Sequence, residues 1–163
     1  MILDKVKLGQ ATSAADLEQI RGLFLEYAST LEISLCFQNF EAELATLPGK
    51  YAPSRGRLLL AQENAEPVGC VALRPLEEGI CEMKRLYVRP NWRRKGLGRV
   101  LAERIIAAAR EIGYGRIRLD TLDSLTPAIA LYRSLGFEPI PPYYANPSER
   151  VVFMELALDH ERF

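Results

Sequence analysis

The sequence predicts an α/β fold in which a mixed sheet, antiparallel at first and parallel in its centre, is flanked by helices. Three observations carry this. Short apolar runs at 57–62, 68–73 and 80–88 are separated only by turn residues at 64–67 and 77–79, the mark of antiparallel hairpins. The third run precedes a helical stripe, Leu97, Val100, Leu101, Ile105, Ala108 and Ile112, and then a strand-like 116–120, which together make a right-handed parallel βαβ unit with a central parallel pair. With 163 residues, 48% of them hydrophobic, the chain fills one core but not two, so one domain over 1–163 is expected.

Taken in order, residues 6–11 form a first strand. Thr12-Ser13 offers a helix N-cap, and Asp16 complements the start of a helix running to about Thr30, with Leu17, Ile20, Phe24, Tyr27 and Leu31 on one face. A weaker helix over about 37–47 sets Phe40, Leu44 and Leu47 together and stops at Pro48-Gly49, and 51–55 is a loop. Within Ile80 to Val88 the alternation slips: Cys81 and Met83 hold one parity, Leu86 and Val88 the other, with Lys84-Arg85 between. A β-bulge produces such a change of parity; the alternative is a strand buried on both faces with two charges near its edge. Gly113 ends the long helix. Pro127 suits the first turn of a further helix, capped by Ser124 or Thr126 and closed by Gly136. A brief strand at 137–140, a proline-rich loop at 141–147 and a last strand at 151–158 complete the sheet.

Lys plus Arg and Asp plus Glu both number 21, so no net charge is available to coat nucleic acid or an anionic membrane, and neither is expected as a partner. Against that balance, Lys84, Arg85, Arg89, Arg93, Arg94, Lys95, Arg99 and Arg104 cluster around the single acid Glu103, which suits a compact anion. Cys36, Cys70 and Cys81 are odd in number and lack C-x-x-C spacing, which argues against a disulfide framework and a metal site and for small apolar roles in a reducing, cytoplasmic setting. The N-terminus lacks signal-peptide features, and no apolar run is long enough to span a bilayer. His160, the only histidine, is expected to be exposed, so a Ser-His or Cys-His nucleophile is poorly supported.

Arg93-Arg94-Lys95-Gly96-Leu97-Gly98-Arg99 stands between strand and long helix. Glycines there let backbone approach a ligand, and the unpaired N–H groups and dipole of a helix start favour phosphate. No Walker A loop is present. A dinucleotide fingerprint is a rival, with Asp120 where a ribose-binding acid would stand. It is opposed by Leu101 at the third glycine position, by the long approach from Val88 to Gly96, and by the preceding hairpins.

Arg93-x-x-Gly96-x-Gly98 resembles the R/Q-x-x-G-x-G/A motif of the GNAT-type N-acetyltransferase superfamily. Leu86-Tyr87-Val88-Arg89-Pro90 resembles that family's strand end before the loop, and Ala130-Leu131-Tyr132-Arg133-Ser134-Leu135-Gly136-Phe137 its A-x-L-Y-x-x-x-G-F signature. The resemblance implies a GNAT fold and acetyl-CoA as acyl donor. The pantetheine would lie along the backbone of Leu86, Tyr87 and Val88. The pyrophosphate would take N–H groups of Arg94, Lys95, Gly96, Leu97, Gly98 and Arg99, with side-chain charge from Arg93, Arg94 or Lys95. The asparagine that many relatives carry near Leu125 is missing, and Ser124 or Thr126 is the expected substitute.

The implied reaction is attack of an amine on the thioester carbonyl, which needs a base and a proton donor for the leaving thiolate. Glu82, directly or through water, is the first candidate base, with Glu41 and Glu43 weaker; its other reading is a surface glutamate paired with Lys84 or Arg85. Tyr132 matches the family's thiolate donor, and its other reading is a core tyrosine. Backbone N–H near Val88 is placed to polarise the carbonyl. The acceptor site falls to the variable segments 31–40, 51–55 and 141–147, where Tyr143 and Tyr144 form either an amphipathic wall or a packed loop anchor. The acceptor expected first is a small-molecule or amino-acid amine, then a protein amine; the competing class is an acyl-CoA sensor without turnover, and a homodimer is left open.

Overall fold

Among the described residues seven strands, β1 (Val6–Gln10), β2 (Arg57–Glu63), β3 (Glu66–Glu77), β4 (Ile80–Val88), β5 (Arg116–Leu122), β6 (Glu138–Ile140) and β7 (Val151–Ala157), form one sheet in the order β1-β2-β3-β4-β5-β7-β6. The computed structural model describes residues 2–31, 39–146 and 148–158; Cys36, His160 and part of the 31–40 segment lie outside them. β1 to β4 pair antiparallel through hairpins, β4 and β5 are parallel, and β7 inserts antiparallel between β5 and β6. The mixed sheet therefore forms as the hairpin runs and the βαβ unit require, while the place of β7 depends on long-range pairing.

Helices α1 (Ala14–Thr30), α2 (Phe40–Ala45), α3 (Leu97–Ile112) and α4 (Thr126–Ser134) cover the two faces. Ser13 caps α1 in a reciprocal capping box with Asp16. The stripe of α3 buries Leu97, Leu101 and Ile105 with Cys81, Met83, Ile117 and Leu119 on one face of the sheet, joined by Tyr132 of α4. On the other face Ile20, Leu23 and Phe24 of α1 pack with Phe40, Tyr51, Leu58 and Cys70. α2 is shorter than the stripe over 37–47 suggests, beginning at Asn39 with positive φ, and a 3-10 turn at Gly49–Tyr51 carries Tyr51 into this second core. β3 outlasts the 68–73 run at both ends because its outer residues still find partners in β2 and β4.

Gly69 marks where α3 presses hardest on the sheet: a Cβ there would stand 3.0 Å from the Tyr87 carbonyl and 3.2 Å from Leu101. The backbone contact cannot yield cheaply. Gly69→Ala is expected to cost about 1–3 kcal/mol of stability, measured as a lowered urea midpoint with unchanged slope.

Candidate active site

The expected bulge is present. Between the pairs Cys70↔Tyr87 and Ala72↔Lys84, β4 advances three residues while β3 advances two, and Arg85 takes left-handed backbone with φ 61. As a result Cys81, Met83, Leu86 and Val88 all pack against the α3 side, although they differ in parity, while Tyr87 packs on the α1 side.

Below the bulge the parallel strands part. β4 and β5 are paired only from Ile80↔Arg116 to Glu82↔Arg118, so among the described residues the β5-facing backbone edge of β4 beyond Glu82 has no neighbouring strand. A cleft opens there, lined by Met83, Lys84, Leu86, Asp120, Tyr27 and Tyr132. Tyr132 is buried against Phe137, and among the described residues no hydrogen bond occupies its hydroxyl. Burial, with Tyr27 and Asp120 nearby, pushes its pKa above the ordinary phenol value, so it holds its proton at neutral pH.

The floor of the opening is charged. Lys84 lies 3.7 Å from Asp120 with its side chain 3% exposed; burial holds its pKa below the usual lysine value against the pull of Asp120 and Glu82. Asp120 also accepts a hydrogen bond from Tyr144, and its engagement with Lys84 is unlike that of a ribose-binding acid. Glu82 is 1% exposed, which removes the surface reading, and Lys84 is a charged neighbour whose ammonium it favours. Its Oε1 accepts from Arg74 Nε at 2.9 Å and lies 2.8 Å from Nη2 of the same guanidinium, and its Oε2 accepts from Tyr143 at 2.6 Å. Arg85 instead grips Glu43 with Nε at 3.0 Å and Nη2 at 2.8 Å, and its guanidinium lies over Phe40.

The structure thus makes Tyr143 and Tyr144 anchors: both hydroxyls reach the central strands, and both rings meet Phe153 edge-on. Arg74 and the Tyr143 bond were not legible in advance, because they join Glu82 across strands and across 61 residues of chain.

At the other end of β4, the loop preceding α3 places Arg94 at φ 65 and Gly96, its N-cap, at φ 88, with no side chain capping the helix. The N–H groups of Gly96, Leu97, Gly98 and Arg99 therefore have no partner within the helix. Leu97's side chain is core, so only its backbone faces the loop. Arg93 turns back to donate to the Val88 carbonyl at 2.8 Å and lies over Tyr87, and Arg99 reaches Ser134 at 2.5 Å. Arg94 and Lys95 are exposed and form no ion pair among the described residues. A Cβ at Gly98 would sit 3.9 Å from both Val88 and Leu131, so the loop opens onto the slot between β4 and α4. Uncapped amides and two exposed cations after β4, with an unpaired edge on β4 itself, suit a ligand with a phosphate end and an amide-bearing arm.

The helix α4 departs from expectation at its start. Leu125, not Ser124 or Thr126, is the cap, and no side chain makes the capping bond; Thr126 is the first helical residue and is exposed. Cys70 and Cys81 are buried thiols whose pKa values burial pushes up, that of Cys81 to about 12. Among the described residues no helix is long and apolar enough to cross a membrane, and no group of three or more His, Cys, Asp or Glu is placed to hold a metal.

A model of the "Acetyltransferase (GNAT) family" matches residues 18–137. An uncharacterized N-acetyltransferase of Schizosaccharomyces pombe is 44% identical over 158 residues, 96% of this chain and 94% of the relative. Among solved structures, a GNAT-family acetyltransferase of Staphylococcus aureus has a TM-score of 0.79 at 20% identity, covering 94% of this chain and 99% of its own. YncA of Salmonella typhimurium, a putative acetyltransferase with its cofactor acetyl-CoA, has a TM-score of 0.68 at 22% identity, covering 97% and 96%.

The approach to the loop is fixed by Arg89, which holds Glu26 of α1 at 2.5 Å and the Pro67 carbonyl at 2.8 Å. The Arg89 hydrogen bond holds the Glu26 carboxyl below its ordinary 4.5. A depressed carboxylate contributes stability above its unfolded pKa and loses it as pH falls through the folded value. Glu26→Gln is therefore expected to lose less stability than the natural chain between about pH 5 and about pH 3, measured by urea unfolding across that range.

Proposed function

We propose, from the premise that this chain belongs to the acetyltransferase (GNAT) family, that it moves an acetyl group from acetyl-CoA to a primary amine of a small molecule or amino acid by direct attack within a ternary complex. The observation that carries this reading is the parting of β4 and β5 beyond Glu82, with Tyr132 in the cleft so formed. In this reading the pantetheine arm takes the place of a missing strand beside Leu86, Tyr87 and Val88. The pyrophosphate meets the amides from Arg94 to Arg99, with Arg94 and Lys95 as the exposed charges. Arg93 and Arg99 act chiefly by shaping the loop, since each already holds a protein oxygen.

The amine is to be deprotonated before it attacks the thioester carbonyl. Glu82 is the proposed base, and Tyr143, bonded to its second oxygen, gives a one-step proton path where the amine does not touch the carboxylate. The thiolate that leaves takes its proton from Tyr132, whose raised pKa keeps a donor available. Carbonyl polarisation falls to backbone N–H near Val88. The buried Lys84–Asp120 pair fixes the cleft's inner wall. The cytoplasm is the proposed setting, in keeping with two buried unpaired thiols.

Tyr132→Phe is expected to lower kcat for acetyl transfer about 100-fold while acetyl-CoA affinity changes less than about twofold, measured by thiol release and by titration calorimetry respectively. Undiminished release would remove Tyr132 from this role. Acetyl-CoA binding without thiol release from any amine would favour the sensor over the enzyme.

A further inference from the structure

Glu82 pairs with Arg118, so two residues further on Lys84 of β4 and Asp120 of β5 share one face of the sheet on either side of the opening. The Lys84 side chain reaches across that opening: its Nζ lies 3.7 Å from the Asp120 carboxylate. Both residues line the cleft that holds Tyr132, and among the described residues Lys84 brings the one amine to it. The groups around this nitrogen come from three strands. Asp120 of β5 and Glu82 of β4 favour its charged form, Arg85 of β4 and Arg74 of β3 oppose it, and burial opposes it most. Tyr27 of α1 and Tyr132 of α4 complete the surroundings, and Tyr144 donates to Asp120 from the loop before β7. Desolvation draws such a lysine toward the neutral amine, the form that attacks a carbonyl.

In the donor reading above, the acyl end of the ligand comes to this same cleft, and an amine held beside a thioester reacts as if at high concentration. Resting on that reading, we propose that Lys84 is a self-acetylation site, whose Nζ takes the acetyl group of the bound donor when no acceptor is present. Lys84 first loses one proton to Asp120 and through it to solvent. Its nitrogen then bonds the carbonyl carbon as the carbon–sulfur bond breaks. A second proton leaves that nitrogen for water, and the sulfur takes one from Tyr132, which is restored from solvent. The net products are an amide on Lys84, CoA thiol and one released proton. An amide does not hand its acetyl group on, so the modification is an end state and not a step of transfer. It replaces the ammonium facing Asp120 by a neutral group and so removes the charge pairing that links β4 to β5 across the opening.

The test is peptide-mapping mass spectrometry of the full chain incubated with acetyl-CoA and no added amine, with and without excess CoA, taking the exposed Lys7 and Lys50 as references. Lys84 is expected to gain an acetyl group about 10-fold faster than either reference. Excess CoA is expected to suppress the label on Lys84 and leave the references unchanged, and in urea, where the cleft is lost, the three lysines are expected to label alike. Acetyl-CoA bound by calorimetry with Lys84 unlabelled, Lys84 labelled no faster than the references, label that excess CoA does not suppress, or a preference that persists in urea would each overturn the proposal. No binding of acetyl-CoA would overturn the donor reading beneath it, so the two failures are distinguishable.

Discussion

Arg85 occupies left-handed backbone in the middle of the central strand, a conformation that costs a side-chain-bearing residue about 1–3 kcal/mol. Surrounding contacts hold it there: two bonds to Glu43, the face of Phe40 beneath the guanidinium, and the Cys70 thiol donating to the Arg85 carbonyl at 3.3 Å. The extra residue returns Leu86 and Val88 to the α3 core after the charged Lys84-Arg85 pair. It also coincides with the departure of β4 from β5. The continuous apolar face depends on this one irregularity, and the opening lies beside it.

The basic residues between 84 and 104 divide accordingly. Lys84, Arg85 and Arg89 are bound to Asp120, Glu43 and Glu26 and set the positions of strands and helices. Paired charges removed from water contribute little net stability, because desolvation offsets their attraction. Their geometric effect is larger: they fix where α1, α2 and the central strands meet. Arg94 and Lys95 are exposed and form no ion pair among the described residues, and in the proposed donor site they are the charges for an anion, with the uncapped helix start supplying the directional part of that attraction.

Local features were legible because they depend on neighbours in sequence. The span Ile80–Val88, its parity slip, the stripe of α3 and the turn residues Gly113 and Gly136 all follow from short-range rules, and each is found in place. The start of α4 departs from the local rule because a usable side-chain oxygen at Ser124 or Thr126 does not oblige the backbone to use it; Leu125 enters the cap with φ −85 and ψ 64. Nor could the sequence show which oxygen Tyr143 would reach, that Arg74 would meet Glu82 across a hairpin, or that β7 would lie between β5 and β6. Those depend on register and on packing between distant segments. The loop tyrosines were found by composition, but their anchoring role was visible only once their partners were.

The central claim is that the unpaired edge of β4 and the uncapped start of α3 act together as one donor site. Amide hydrogen exchange with and without acetyl-CoA tests it most directly. The account expects slower exchange confined to two stretches, Leu86 to Val88 and Arg94 to Arg99, appearing together at the same ligand concentration. Protection at the helix start with none along β4, or protection in neither, would contradict it.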